Sequence, residues 1–333
     1  MRVILCLALV AFPSALAGVK LHPLSDEFID RVNSKQSTWK AGRNFGETIP
    51  VSYLRTLTGV LEDSTEKLLT RVHEVTEDTD IPESFDAREK WTKCASIGEI
   101  RDQGACGSCW AVAAVEAMTD RLCIHSDGEH QESVSSEDLL SCCDYCGSGC
   151  NGGVMTLAWH YWLNYGIVTG GEYGTTTGCK SYSIEPCAHH INSTSRPSCS
   201  GEGPTPACVK QCDSSTQTYN NSLTLASSVY SIEPEVSQIQ LEILNNGPVE
   251  ASFAVYEDFV SYKSGVYQYV EGDLLGSHAI KILGWGVEND TPYWLIANSW
   301  NGDWGDNGYF KILRGSNHVK IESHIVAGLP LLE

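Results

Sequence analysis

Apolar residues follow different patterns in the middle and in the C-terminal part of the chain. Residues 108–123 are rich in Ala, Val and Met and contain no Gly or Pro, which predicts a buried helix. Shorter helices are predicted at 136–140, 155–165 and 234–247. Further on, β-branched and aromatic runs separated by Gly, Asn and Asp predict strands at 249–256, 278–285, 293–297 and 309–314. The pattern therefore predicts an α+β fold with a helical half and a β-rich half, and a substrate cleft between them.

The first 17 residues have the pattern of a secretory signal. Arg2 precedes an apolar run at 3–12, and the small residues Ala15 and Ala17 follow, which predicts cleavage after Ala17. A membrane anchor is the weaker alternative, because this run is well short of the ~20 apolar residues that span a bilayer. No later stretch is apolar enough to predict a membrane span. In the oxidising compartment that a signal implies, disulfides are the default fate of cysteines.

Residues 18–80 differ in composition from the rest of the chain. They contain no Cys, and Ser25 is placed to cap a helix from Asp26 whose apolar face would bury Phe28, Ile29 and Val32. The acidic run 77–80, just before Ile81, predicts an exposed linker that a protease can cut. Two interpretations are open: an inhibitory propeptide, or a small stable domain.

Charge and cysteine count narrow the function further. The chain has 22 Lys and Arg against 42 Asp and Glu, a formal net charge of −20, and residues 81–333 hold 13 of these basic and 31 of these acidic residues. Such acidity argues against a nucleic-acid partner, which would need clustered basic residues. Without Cys6 in the signal, 13 of the 14 cysteines remain, all within 94–212. An odd number in a secreted chain predicts one unpaired thiol, a candidate nucleophile.

The segment 103–110 contains the best candidate for that thiol. A Gly-rich turn leads into the predicted buried helix and places Cys109 at its N-terminus, where backbone N–H groups and the helix dipole favour a thiolate. Three interpretations are open here: a redox pair with Cys106, a nucleophilic Cys109 beside a structural half-cystine, or two structural half-cystines.

The β-rich half supplies possible partners for a nucleophile. His278 opens an apolar strand and Asn298 ends another, which fits a general base and the group that orients it. Together with the 103–110 segment and the 151–153 turn, these residues resemble papain-family cysteine peptidases. The resemblance extends from the 39–45 motif to residues 328–330 and implies a papain-like two-lobe fold, with a helical, disulfide-rich left lobe and a β-barrel-like right lobe.

This resemblance implies roles for individual residues and no cofactor or metal. Cys109 would be the nucleophile, His278 its imidazolium partner and Asn298 the orienting group, with Trp300 shielding their contact. Gln103 would donate to the oxyanion. The close-approaching backbone for an extended peptide would come from Gly107, Gly152 and Gly153.

The resemblance also implies six disulfides. They would join Cys94 with Cys123, Cys106 with Cys150, Cys142 with Cys208, Cys143 with Cys146, Cys179 with Cys212, and Cys187 with Cys199. Only Cys109 would then be unpaired. A zinc site in the cysteine cluster 142–150 is an alternative that an oxidising compartment disfavours.

His278 and Asn298 lie 169 and 189 residues after Cys109, further than the usual ~130–150, which indicates an insertion. An insertion at about 184–208 resembles the occluding loop of cathepsin B-like peptidases. The resemblance implies that His189 and His190 of this chain bind the C-terminal carboxylate of the substrate. This contact would give the enzyme peptidyl-dipeptidase activity in addition to endopeptidase activity. The resemblance implies that Asp102 pairs with His189, and that Arg196 pairs with Asp303, to hold the loop shut. The alternative is a tied surface loop whose histidines have no function.

The S2 pocket is expected to differ from that of typical relatives. His324 replaces a usual Glu at its base, so the pocket would favour apolar side chains over Arg at P2. The remaining walls would be Val154, Met155, Ser252 and Ala279. Asn192 and Asn220 begin glycosylation motifs.

The family resemblance also implies domains, partners and a location. The domains would be a signal at 1–17, an inhibitory propeptide at 18–80 and a peptidase domain at 81–333. Partners would be peptide and protein substrates, the chain's own propeptide and cystatin-type inhibitors. The enzyme would be a monomer, lysosomal or extracellular. Two rival functions are a thiol-disulfide oxidoreductase, which gives no role to His278, and a catalytically silent binding protein.

Overall fold

A computed structural model describes residues 20–62, 67–76, 79–188, 196–197, 199, 201 and 203–332 of the chain. Within these residues the α-helices are α1 (Asp26–Lys35), α2 (Val51–Thr56), α3 (Ala87–Lys90), α4 (Cys109–His125), α5 (Ser136–Cys142), α6 (Met155–Asn164) and α7 (Val236–Asn246). The β-strands are β1 (Trp39–Ala41), β2 (Thr70–Arg71), β3 (Phe85–Asp86), β4 (Ile167–Val168), β5 (Leu223–Thr224), β6 (Ala226–Ile232), β7 (Val249–Tyr256), β8 (Tyr262–Tyr267), β9 (Leu274–Glu288), β10 (Thr291–Ala297), β11 (Tyr309–Leu313) and β12 (Ile325–Pro330). The predicted signal lies outside the described residues.

Helix α4 is the centre of the left lobe. Most of its residues are small or apolar, and almost all of them are buried, including the charged Glu116, Asp120 and Arg121, which fits the predicted buried helix. The helices α5 and α6 pack around it in one apolar cluster that includes Trp110, Trp159 and Trp162. Cys109, the first residue of α4, therefore has a rigid support.

A long sheet builds the right lobe. Its strands follow the order β1-β8-β11-β10-β9-β7-β12-β6-β2. The core on this sheet is aromatic, and the rings of Phe259, Phe310, Trp300 and Trp304 contact one another. Because β9 and β10 are central neighbours, they bring His278 and Asn298 to the same region of the lobe.

The N-terminal segment is part of this architecture and does not form a separate domain. Ser25 accepts a hydrogen bond from the N–H of Phe28 at the start of α1, as predicted. Phe28 and Trp39 belong to the same buried cluster as Phe259 and Trp304 of the right lobe. The small-domain alternative is therefore wrong, because the segment shares its core with the lobe it covers.

Six disulfides link the described cysteines in the six pairs that the resemblance implied, and Cys109 is the free cysteine among the described residues. Cys106 is bonded to Cys150, which removes the redox pair of Cys106 with Cys109. The cysteines of the 142–150 cluster are all in disulfides, so the zinc alternative is also wrong.

The predicted helices and strands occur close to their expected positions. Strand β7 has the predicted bounds, and β9 starts four residues before His278. The strands β6, β8 and β12 were not predicted. Within the described part of the chain, no helix combines the length and apolarity needed to cross a bilayer.

Candidate active site

Cys109 lies at the junction of the two lobes. It begins α4 directly after the Gly-rich turn, and its side chain is fully buried. Gly107 holds the turn against the left lobe, because its N–H donates to the Cys150 carbonyl over 2.8 Å. From the right lobe, the backbone N–H of Ala279 is near enough to the sulfur to lower the pKa of the thiol. Since Ala279 follows His278 in β9, the thiol lies where the strand bearing His278 meets α4.

The N-terminal segment covers this thiol. The N–H of Gly59 donates to the Cys109 sulfur over 3.1 Å. On either side, the chain is bound to both walls of a cleft: Gly153 donates to Gly59 and accepts from Leu61, each over 2.9 Å, and the N–H of Val60 donates to Ser277 over 3.0 Å. Residues 57–61 therefore occupy the cleft: Leu57 ends α2 in a helical conformation, and residues 59–61 are bound between the two walls.

The contact between His278 and Asn298 has a defined polarity. Nε2 of His278 lies 2.7 Å from Oδ1 of Asn298, and the same oxygen accepts the N–H of Ser299 over 2.9 Å. Because the N–H of Ser299 fixes that atom as an oxygen, the imidazole must donate from Nε2. Nδ1 has no hydrogen-bond partner among the described residues, and in the neutral ring it is then the acceptor.

Trp300 covers this pair. Its ring lies against the His278 ring with centroids 4.8 Å apart, and it is fully buried. Phe45 of the N-terminal segment packs edge-on against Trp300. Water is thus kept from the histidine on this side, which strengthens its polar contact with Asn298.

Gln103 points its amide at the covering segment. Its Nε2 donates to the Leu57 carbonyl over 3.2 Å and to the Cys106 carbonyl over 2.7 Å, while its Oε1 accepts from the Ser299 hydroxyl over 2.7 Å. Ser299 thus orients both Gln103 and Asn298, a positioning role that sequence reasoning missed. The only sequence signal for it was its place between Asn298 and Trp300.

Three glycines allow the backbones in the cleft to approach closely. A Cβ on Gly107 would lie 2.4 Å from the Cys150 carbonyl oxygen, and one on Gly153 would lie 2.5 Å from the Trp110 ring. Gly152 has φ of 108°, a conformation that side chains rarely adopt. A Cβ on Gly152 would also lie 2.9 Å from the Gly59 carbonyl oxygen, so a larger residue there would close the groove in which residues 59–61 lie.

A cavity of about 530 Å³ opens beside Val60 and Leu61. Four of the five predicted pocket residues line it: Val154, Met155, Ser252 and His324. The fifth, Ala279, is fully buried, pairs with Ser252 in the sheet and is not among the described residues that line the cavity. Lys320, which sequence reasoning missed, does line it. The cavity lining therefore includes two exposed basic side chains, Lys320 and His324.

The predicted loop, as far as it is described, packs next to the turn that carries the thiol. The N–H of Gly203 donates to the Ala105 carbonyl over 2.9 Å, and the Tyr53 hydroxyl of α2 lies 3.4 Å from Cys187. Arg196 forms an ion pair with Asp303, and its Nε lies 3.7 Å from Asp102. His189, His190 and Asn192 lie outside the described residues, so the structure does not bear on the predicted pair of His189 with Asp102.

Burial under the N-terminal segment keeps the central pair uncharged. It raises the pKa of the Cys109 thiol to about 11, although the N–H groups of Ala279, Gly59 and Trp110 oppose this. It lowers the pKa of His278 to about 4, although Asn298 opposes this. Between those values the covered pair is a thiol and a neutral imidazole.

Comparison with known proteins shows which family the chain matches and which relatives and solved structures it resembles. The family model described as papain family cysteine protease matches residues 81–329, and the model of the peptidase family C1 propeptide matches residues 24–64. Cathepsin B-like cysteine proteinase 4 of Caenorhabditis elegans is 48% identical over 337 residues, which cover 99% of each chain. Cathepsin B-like cysteine proteinase 5 of the same organism is 49% identical, covering 91% of this chain and 89% of that protein. The solved structure of proCathepsin B S9 from Trypanosoma congolense matches with a TM-score of 0.81 and 37% identity, covering 94% of this chain and 100% of that one.

Proposed function

The chain belongs to the papain family of cysteine proteases, as a cathepsin B-like member with a propeptide, and from this premise we propose that Cys109 and His278 perform the hydrolysis. Attack of the Cys109 thiolate on a peptide carbonyl carbon gives a tetrahedral intermediate. His278 then protonates the leaving amine, and water attacks the remaining thioester to release the acid and restore the thiol. Asn298 keeps the proton of the neutral imidazole on Nε2, so that Nδ1 is the atom that exchanges a proton with sulfur.

We propose that the Gln103 side chain and the Cys109 N–H stabilise the oxyanion of this intermediate. The best support is the hydrogen bond from Gln103 Nε2 to the Leu57 carbonyl over 3.2 Å. Two residues further along the same segment, the N–H of Gly59 donates to the Cys109 sulfur. A peptide carbonyl can therefore reach this donor in the same groove as the thiol. Such a preorganised donor typically contributes ~3 kcal/mol to the transition state.

We further propose that the zymogen is inactive for two reasons. Residues 57–61 fill the cleft, and burial keeps Cys109 and His278 in their neutral forms. Removal of the propeptide admits water and lifts the desolvation that opposes charge on both groups, so the thiolate–imidazolium pair can form.

Peptidyl-dipeptidase activity is the finer proposal for the substrate. The loop that would contain His189 and His190 is tied by Cys187–Cys199, and Arg196 joins it to Asp303 beside the cleft. Two imidazolium groups at the end of the cleft would pair with the free carboxylate of a substrate and favour release of C-terminal dipeptides. Endopeptidase cleavage would need this loop to move aside.

This proposal is tested by replacing His189 and His190 with Ala in the activated enzyme. Loss of a charge-assisted contact, about 1.5–3 kcal/mol, should slow dipeptide release from a peptide with a free C-terminus at acid pH roughly 10- to 100-fold. Cleavage of the same peptide with an amidated C-terminus should not be slowed. The exposed His130→Ala provides the control. Unchanged dipeptide release in the double variant would contradict the proposed carboxylate site.

The remaining finer proposals concern location and partners. We propose that the chain enters the secretory pathway through residues 1–17 and acts in a lysosome or outside the cell. Its inhibitors would include cystatin-type proteins, and its working state would be a monomer. Asn220 is exposed, which is compatible with a glycan there.

A further inference from the structure

The propeptide contacts the peptidase domain at a second place, beyond the cleft. Leu68 is buried in the left-lobe core cluster. Directly after it, β2 pairs in parallel with β6, where the N–H of Ser231 donates to the Leu69 carbonyl over 3.1 Å and that of Glu233 to the Arg71 carbonyl over 3.4 Å. Here the propeptide is an added strand at the end of the sheet.

The side chains of this strand are recognised individually. The Arg71 guanidinium lies 3.6 Å from the centroid of the Tyr230 ring. Nε2 of His73 lies 2.8 Å from Oε2 of Glu242, and Gln238 holds the His73 backbone on both sides, accepting its N–H over 2.6 Å and donating to its carbonyl over 3.1 Å. Such paired backbone contacts and side-chain contacts are typical of strand-addition sites.

The domain builds the acidic part of this site without help from the propeptide. Glu242 is fully buried, and its Oε1 accepts from Arg121 and from the Tyr230 hydroxyl over 2.9 and 2.8 Å. Its Oε2 has His73 and, at 4.0 Å, Arg71 as its partners among the described residues. Without the propeptide, that oxygen loses both of these partners and faces the open edge.

Glu242 is charged in the zymogen, and its ion pair with Arg121 belongs to the domain itself. Burial alone would raise its pKa, but Arg121 and the hydrogen bonds of His73 and Tyr230 outweigh this and lower the pKa to about 2. When the propeptide leaves, β6 becomes an edge strand with free backbone groups next to this carboxylate. The exposed surface is then complementary to an extended, basic chain.

We propose that the edge of β6, with Tyr230, Gln238 and Glu242, is a second binding site for the propeptide. This site recognises an extended Arg71-x-His73 strand, and it remains on the mature domain as an exosite. The inhibitory part of this claim rests on the proposed function. We call the cleft contact of residues 57–61 the cleft anchor and the strand contact of residues 68–73 the edge anchor. A cut between the two anchors would leave residues 68–73 bound to the edge of β6. Full release of the propeptide then requires both anchors to open.

The edge anchor is tested in the full-length chain with Cys109→Ser, which cannot process itself. Hydrogen exchange of the Ser231 and Glu233 amides should become at least about tenfold faster in the Arg71→Gln, His73→Ala variant, because the strand that protects them opens. Gly59 and Gly153 in the cleft should keep their rates. Gln238→Ala, made on the domain side, should give the same pattern, and Lys40→Gln, an exposed charge of the propeptide, should change nothing.

Either of two exchange results would overturn the proposal: unchanged rates at Ser231 and Glu233, or an equal increase at Gly59 and Gly153. The exosite itself is tested by adding the peptide 67–76, a single strand that needs no fold of its own, to enzyme released from the native zymogen. The peptide should slow hydrogen exchange at Ser231 and Glu233, and the same double substitution should weaken its binding at least about tenfold. Unchanged exchange on addition of the native peptide would refute the exosite. Released enzyme without any activity would refute the proposed function instead, while the exchange experiment would still decide on the anchor.

Discussion

At the scale of residues, Ser299 orients two side chains of the site, those of Gln103 and Asn298. Its hydroxyl fixes the Gln103 amide and its N–H fixes the Asn298 amide. Neither group would have a defined orientation from its position in the sequence alone. The sequence motifs identify Cys109, His278, Asn298 and Gln103 as candidate residues. They do not predict the contacts that orient these side chains, because those contacts come from strands that meet only in the folded chain.

The pocket beside Val60 leads to a prediction for P2 specificity. His324 and Lys320 both line it, so an Arg side chain at P2 finds no carboxylate at these positions and a like charge at Lys320. His324→Glu should therefore raise the ratio of kcat/KM for Arg-Arg over Phe-Arg amides by roughly fivefold, the effect of an exposed charge pair of about 1 kcal/mol.

His130→Glu gives the same change of residue type on the exposed surface and should leave the ratio as it is. If His324→Glu gave no gain for Arg at P2, the assignment of this pocket to P2 selection would be wrong. A wild-type enzyme that hydrolyses both amides equally would contradict it as well.

At the scale of elements, α4 and the central strands enclose a group of carboxylates. Glu116 of α4 is buried with both oxygens lacking a hydrogen-bond partner among the described residues, and Glu250 of β7 is buried with one such oxygen. Lys281 of β9 pairs with Asp120 of α4 over 2.8 Å, both fully buried. The helix with the nucleophile and the strand with His278 are therefore joined through ionisable groups.

This cluster predicts a pH dependence of stability. Burial raises the pKa of Glu116 from 4.5 to about 7, although Lys281 and Arg101 oppose this and Asp120 and Glu172 add to it. The folded chain thus holds this proton more tightly than the unfolded chain. This proton contributes fully to the free energy of unfolding below pH ~4.5. The contribution, about 3 kcal/mol at most, is lost as pH rises through ~7.

Glu116→Gln in the Cys109→Ser chain should flatten the fall in the free energy of unfolding over that pH range. Chemical denaturation at several pH values measures this, with the exposed Glu129→Gln as control. Parallel curves for Glu116→Gln and its parent would show that Glu116 does not titrate as described.

Some elements were predictable and others were not, for a common reason. Helix α4 and strand β7 have strong local patterns and were predicted from the sequence. Strand β6, with the sequence ASSVYSI, is mostly small and polar, so its pattern does not indicate a strand. It becomes one because it pairs with β12 and β2, two partners that are distant along the chain.

At the scale of the whole molecule, the segment before the peptidase domain pairs with both ends of the sheet and crosses the cleft between them. Strand β1 pairs with β8 at one edge and β2 with β6 at the other, while residues 57–61 lie over Cys109. Ion pairs of Lys20 with Asp273 and of Arg31 and Lys35 with Glu271 fasten its first part to the acidic domain. The excess of carboxylates in residues 81–333 thus has a partner within the chain.

The role of Cys109 is tested most directly by hydrolysis of a blocked Phe-Arg fluorogenic amide after acid activation of the zymogen, with Cys109→Ala in parallel. We expect no hydrolysis before activation, hydrolysis after removal of the propeptide, and none from the Cys109→Ala chain after the same removal by an added protease. A correctly processed native protein that does not cleave the amide, or a Cys109→Ala protein that does, would contradict this role.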